Sequence, residues 1–238
     1  MGISYSNISY KDLLGESYNG KGRYDIGYVK EGKGHCFYEN NDEYLGYFYK
    51  DLRHGYGKMI FSNGDLYEGQ WKCNLMNGNG KYRFLNGDIY QGNMENNYRN
   101  GNGILTYNNG ETYKGDFLLN KITGFGRLSN VNNNKIYKGN FNNSVFHGIG
   151  RLYHENGEKF YIGHFINGKC HGQGFLYDNN NNKLYEGSFD NGKILDIIDD
   201  DEIYEYINYF ECNIYKGCLS NKENNTEEIY PSAPFLSE

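Results

Sequence analysis

The 238-residue chain carries 30 Asp and Glu residues, 6 His and 5 Cys, the side chains that metal binding, thiol chemistry and acid–base catalysis would need. Their spacing decides whether they could work together. Cys36, Cys73, Cys170, Cys212 and Cys218 are odd in number and contain no C-x-x-C pair, which speaks against both a disulfide framework and a zinc knuckle. His54, His147 and His171 recur at one place in a repeated segment, where other copies have Asn77, Asn100 or Thr123. A slot that takes His, Asn and Thr suits a hydrogen bond to a turn better than ligation of an ion. His35, His154 and His164 sit at unrelated places. Glu68 and Glu186 share their position with Leu45, Gln91, Lys114, Lys138 and Ile162, so a solvated face is expected there rather than paired-acid chemistry. Repeated G-x-G pairs resemble phosphate loops, but no helix pattern and no Lys-Ser/Thr follows them. Backbone geometry accounts for them better. No catalytic residue, metal ligand or cofactor is expected.

Chemistry of another kind is written at the ends. Met1-Gly2-Ile3-Ser4-Tyr5-Ser6 fits M-G-x-x-x-[ST], the pattern for myristoylation of Gly2 after loss of Met1. One acyl chain binds membranes only marginally, and no cysteine or basic cluster near the start adds a second signal. A partner, self-association or lipid contact along the chain would have to supply it. Near the other end, Pro231-Ser232-Ala233-Pro234 resembles the P-[ST]-A-P peptide read by ubiquitin-variant domains.

The elements that position these residues follow from a fixed period. Tyr44, Tyr67, Tyr90, Tyr113, Tyr137, Tyr161 and Tyr185 recur every 23 or 24 residues. Two residues after each comes a glycine, namely Gly46, Gly69, Gly92, Gly115, Gly139, Gly163 and Gly187. Two further on stands a large apolar residue, namely Phe48, Trp71, Met94, Phe117, Phe141, Phe165 and Phe189. At period two these share one face of a strand, and the glycine makes room for the rings beside it. A returning strand starts at G-x-G pairs such as Gly55 and Gly57 or Gly78 and Gly80. It closes at Asn63-Gly64, Asn86-Gly87, Asn109-Gly110 and Asn156-Gly157, the dipeptide that favours type I′ turns. Where Asn-Gly is missing, the runs Asn132–Asn134 and Asn179–Asn182 accompany a repeat one residue longer and read as tolerant loop tips.

This pattern resembles the MORN (membrane occupation and recognition nexus) family, whose repeat reads approximately Y-E-G-x-W-x-x-G-x-x-H-G-x-G. Tyr67-Glu68-Gly69-Gln70-Trp71 followed by Asn77-Gly78-Asn79-Gly80 matches it closely, and His147-Gly148-Ile149-Gly150 and His171-Gly172-Gln173-Gly174 supply the H-G-x-G. The resemblance implies an all-β protein, one elongated antiparallel sheet of seven to eight hairpins. It also implies scaffolds at cortical membranes, division rings and membrane junctions, among which apicomplexan relatives fit the asparagine-rich composition. MORN repeats also precede the catalytic domains of some phosphatidylinositol-phosphate kinases and of a lysine methyltransferase.

The layout expected is a flexible segment at 1–17 with the lipidation motif and degenerate repeats at 18–43. A repeat array follows at 44–195, starting at 44, 67, 90, 113, 137 and 161 with a partial copy at 185; then come an acidic capping segment with a short helix at 196–219 and a disordered tail at 220–238. Eleven acidic residues against Lys216 and Lys222 give 196–238 a charge of −9, leaving 22 basic and 19 acidic residues before it. A charge of +3 over residues 1–195 is thin for nucleic acid, which is not expected as a partner. The expected function is a non-catalytic scaffold on the cytosolic face of a membrane, the plasma membrane or an inner membrane complex. Gly2 anchors it, and the repeats hold protein partners or a second copy. The alternatives are a direct phospholipid-binding module and a regulatory subunit of an enzyme such as a kinase.

Overall fold

The computed structural model describes residues 5–11, 16–23 and 29–195, and every regular element in them is a strand. In chain order these are β1 (Tyr5–Lys11), β2 (Ser17–Arg23), β3 (Val29–Phe37), β4 (Glu43–Tyr49), β5 (Leu52–Ile60), β6 (Leu66–Lys72), β7 (Leu75–Arg83), β8 (Ile89–Glu95) and β9 (Tyr98–Thr106). They continue as β10 (Thr112–Leu118), β11 (Lys121–Ser129), β12 (Lys135–Asn142), β13 (Val145–Tyr153), β14 (Lys159–Ile166), β15 (Lys169–Tyr177), β16 (Lys183–Asp190) and β17 (Lys193–Ile194). The fold is the expected all-β open sheet of tandem hairpins, with hydrogen-bonded strands antiparallel. Two compact units divide within β9, between Gly101 and Asn102. In the N-terminal unit β1 to β8 pair in chain order; in the C-terminal unit β10 to β17 do the same. The expected lipidation site Gly2, the helix and capping segment at 196–219, and the tail with Pro231-Ser232-Ala233-Pro234 lie outside the described residues.

The four Asn-Gly turns expected from the sequence are not type I′. Type I′ geometry needs positive φ at two successive residues. That falls on Lys50 (φ 49°) and Asp51 (φ 66°), on Cys73 and Asn74, on Asn96 and Asn97, on Leu119 and Asn120, and on Asn143 and Ser144. None of these five pairs is Asn-Gly; the Asn-Gly pairs that do take this geometry are Asn167-Gly168 (φ 49° and 82°) and Asn191-Gly192 (φ 50° and 90°), neither of them at the turns expected. At Asn63-Gly64 only the glycine has positive φ, 93°, and Gly64 N–H donates to Phe61 C=O at 2.9 Å. This is a three-residue loop, a tight turn followed by a left-handed glycine. Asn133 (φ 62°) and Asn181 (φ 67°) fill the glycine's place, because asparagine tolerates that conformation. The asparagine runs therefore do not lengthen the loop. The added residue is a β-bulge at the start of the next strand, where the register shifts around Ile136, Phe160 and Leu184.

Successive hairpins are stitched at their tight turns. Asn74 N–H donates to Arg53 C=O at 3.0 Å, and its Oδ1 accepts from Arg53 N–H at 2.8 Å. Asn97 does the same to Met76, Asp51 to Lys30, and Ser144 to Ile122. At the opposite ends of the strands, Asp42 Oδ1 accepts from Ser62 N–H at 2.8 Å and Asp65 Oδ1 from Leu85 N–H at 2.7 Å. Both carboxylates are buried. Each stitch satisfies backbone donors that would otherwise be lost to solvent at a strand end.

Candidate functional site

The repeat residues singled out by the period all face inward. Tyr44, Tyr67, Tyr90, Tyr113, Tyr137 and Tyr161 are fully buried, as are Phe48, Trp71, Met94, Phe117, Phe141, Phe165 and Phe189; Tyr185, on the last full strand, is half-buried. The rings of Tyr44, Tyr67, Tyr113, Tyr137 and Tyr161 each lie across two glycines, one on the tyrosine's own strand and one opposite. A Cβ added to Gly57 would sit 2.2 Å from the Tyr44 hydroxyl, and one on Gly46 would sit 2.5 Å from the Gly57 Cα. Gly69 and Gly80 form the same trough under Tyr67, Gly115 and Gly126 under Tyr113, Gly139 and Gly150 under Tyr137, and Gly163 and Gly174 under Tyr161. The hydroxyl is satisfied locally: Tyr44 donates to Tyr47 C=O at 3.0 Å and Tyr137 to Asn140 C=O at 2.8 Å. The first glycine of each G-x-G has a separate duty. Gly55 (φ 78°) is the left-handed residue that lets β5 bulge against β4.

Ring edges meet ring faces along the column. Tyr44 contacts Phe48 at 5.1 Å and Trp71 of the next repeat at 5.4 Å; Tyr137 contacts Phe141 at 5.0 Å and Phe165 at 5.3 Å. Such edge-to-face pairs add about 0.5–1.5 kcal/mol each beyond area burial. Burial pushes the Tyr90 hydroxyl pKa up to about 12 and raises that of Tyr67 and Tyr161 as well. The column is architecture, and the tyrosines are held protonated within it.

A second inward column, the second residue of each G-x-G strand, was not anticipated from the sequence. It reads Lys30, Arg53, Met76 and Arg99 in the N-terminal unit and Ile122, Phe146 and Cys170 in the C-terminal unit, all buried. The Arg53 guanidinium lies 4.8 Å from the Trp71 ring centroid and 5.5 Å from that of Tyr38, and donates to Asn74 C=O at 3.1 Å. Lys30 Nζ pairs with Glu16 at 3.4 Å. These cations serve the core: aromatic faces replace their water.

The histidines divide. His171 Nδ1 lies 3.2 Å from Asp190 Oδ1, and at the same repeat position Asn77 reaches the turn residue Asn96 at 3.4 Å. His54 and His147 do not make the expected hydrogen bond: their buried Nδ1 atoms find no partner among the described residues, and His54 packs instead against the Tyr49 ring at 5.8 Å. His35 pairs with Glu43 at 2.7 Å and His154 with Tyr177 C=O at 3.0 Å. Cys36 and Cys170 are buried, and burial raises both thiol pKa values. Among the described residues, no group of three or more His, Cys, Asp or Glu could hold a metal ion.

With the inward face closed on itself, chemistry toward other molecules falls to the outward face. In the N-terminal unit that face carries Phe37, Leu45, Tyr47, Tyr49 and Tyr56, each about half exposed. Register places Leu45 beside His35 and Lys58, and Tyr47 beside Lys33. Tyr56 donates to Glu68 at 3.0 Å. Only the inward glycine period was visible in the sequence; these tyrosines fall at positions that vary from repeat to repeat, so periodicity gave no signal.

No curated protein sequence matches the chain. The TCP domain of Drosophila melanogaster SAS-4 (dCPAP), solved in complex with a proline-rich motif of Ana2 (dSTIL), aligns at 14% identity and TM-score 0.40 over 74% of this chain and 86% of that one. A mutant TCP10 domain of Danio rerio CPAP aligns at 11% identity and TM-score 0.41 over 77% and 89%. The wild-type domain with a peptide of Danio rerio STIL aligns at 10% identity and TM-score 0.28 over 77% and 100%. The sequence profile of the MORN repeat matches residues 44–66, 67–89, 90–112, 113–135, 137–159 and 161–183. With more than half of its length in these segments, and with a Tyr-Gly-Φ column built the same way in both units, the chain belongs to the MORN repeat family.

Proposed function

We propose that the chain is a non-catalytic protein-interaction scaffold whose partner seats on the outward face of β3–β5. The observation that carries this reading is the half-exposed group Phe37, Leu45, Tyr47, Tyr49 and Tyr56. Large rings with polar tips, set among Lys33, His35 and Lys58, have the composition of a protein interface centre with a charged rim. The inward columns leave the tyrosines and glycines of the repeat no role toward a partner. Attachment to the cytosolic face of a membrane through a myristoyl group on Gly2 belongs to the same proposal and is supported by the Met1–Ser6 pattern.

Affinity capture from the native cell, with wild type beside the double variant Tyr47→Asp, Tyr56→Asp, tests the surface. Partners retained by wild type and lost by a variant of unchanged melting temperature support it; the same partners on both would overturn it. Fractionation of Gly2→Ala tests the anchor: membrane recovery equal to wild type would exclude it.

A further inference from the structure

The outward residues next to the buried tyrosines form one continuous row in the C-terminal unit. Register sets Lys114 opposite Arg127, Arg127 opposite Lys138, and Lys138 opposite Arg151, so four cations stand side by side on β10–β13. The row then runs through Ile162 and Phe175 to Glu186. Like charges directly opposite one another on a sheet are destabilising. Lys114, Lys138 and Arg151 are exposed, and no carboxylate among the described residues lies within ion-pair distance of any of the four. Arg127 is steadied by Ser129 Oγ and Asn133 at 2.8 Å, and Lys138 Nζ lies 5.8 Å over the Phe125 ring. Phe125 and Ile149, both exposed, line the row on one side.

We infer that this cationic row is a docking surface for the chain's own acidic segment, residues 199–205. Three observations select that occupant. Asp199, Asp200, Asp201, Glu202 and Glu205 are interleaved with Ile203 and Tyr204, matching cations flanked by apolar side chains. The described chain ends beside the row, where Leu195 N–H donates to Ser188 C=O, two residues along β16 from Glu186. The reach fits the near part of the row: β13 and β12 lie four and five strand positions from β17, roughly 19–24 Å at strand spacing, and a chain leaving Leu195 could carry residues 201–205 at most roughly 20–33 Å. Docking neutralises repulsion that the row otherwise carries uncompensated.

Zero-length carbodiimide cross-linking of the full, unlipidated chain, read by mass spectrometry, tests this. The Lys183–Glu186 pair, at 2.5 Å, serves as the internal positive control. The expected result is links from Lys138 to Asp201, Glu202 and Glu205. They should keep their yield on dilution and fall about tenfold at 1 M salt, where screening acts over roughly 3 Å. They should also be lost in the variant D199N/D200N/D201N/E202Q. Any of four outcomes would overturn the inference: control links without row links; links only from Lys169 or Lys193 at the sheet's end; links between isotope-labelled and unlabelled copies; or retention by phosphatidylserine vesicles, abolished by K114Q/K138Q, in place of the links.

Discussion

In the N-terminal unit the outward row reads Leu45, Lys58, Glu68, Lys81 and Gln91, and the charged members alternate in sign across the strands; in the C-terminal unit the same positions read Lys114, Arg127, Lys138 and Arg151. The inward column reverses the comparison. Lys30, Arg53 and Arg99 are buried against rings in the first unit, and Ile122, Phe146 and Cys170 take their places in the second. One unit therefore keeps cations inside and balances its outer row, while the other has an apolar interior and an uncompensated outer row. The Tyr-Gly-Φ lattice is common to both, so it can be assigned to architecture. The positions that differ are where separate surfaces can be built on one backbone.

The largest expected effect tests what the units share. Gly57→Ala and Gly126→Ala each place a Cβ within 2.5 Å of a tyrosine ring atom in their own unit. Each should cost about 3 kcal/mol or more, measured by denaturant melts; a loss in only one unit would mean that the trough is not common architecture. Next is the interior column. Ile122→Arg should cost roughly 3–5 kcal/mol by burying a cation in an apolar slot, whereas Arg53→Met, which copies Met76, should change stability by no more than about 1 kcal/mol. Equal costs would erase the difference between the interiors.

Alkali tests both units together. Burial raises the Tyr90 pKa from 10.0 to about 12, so the folded chain holds its proton longer than the unfolded one. That contribution is complete below pH 10 and is lost as pH rises toward 12. Stability should fall across this window in step with tyrosinate absorbance. The outer rows carry the smallest effect. Glu68→Lys, which turns the Lys58–Glu68–Lys81 alternation into a run of cations, should cost about 0.5–1 kcal/mol at low salt and much less at 1 M salt. Lys138→Glu, in a background with 199–202 neutralised, should gain a similar amount.

The sequence carried the inward lattice because its residues must repeat: a tyrosine ring needs two glycines beneath it, and neither can vary. Strand order, hairpin count and the Tyr, Gly and Φ positions were legible for that reason. The turns were misassigned because Asn-Gly satisfies two turn types, and the tertiary stitches through Asp51, Asn74 and Asn97 select which residues take positive φ. Those stitches repeat at the same period and could have been read from it. The outward tyrosines and the cationic row could not, since their neighbours lie across strands and emerge only once register pairs Lys114 with Arg127 and Lys138 with Arg151.

Photo-cross-linking in cells tests most directly the claim that the two outward faces take different occupants. A benzophenone amino acid replaces Tyr47 in one chain and Lys138 in another. Position 47 should capture another protein, while position 138 should capture residues 199–205 of its own chain. Capture of one foreign protein at both positions, or of the chain's own segment at position 47, would contradict it.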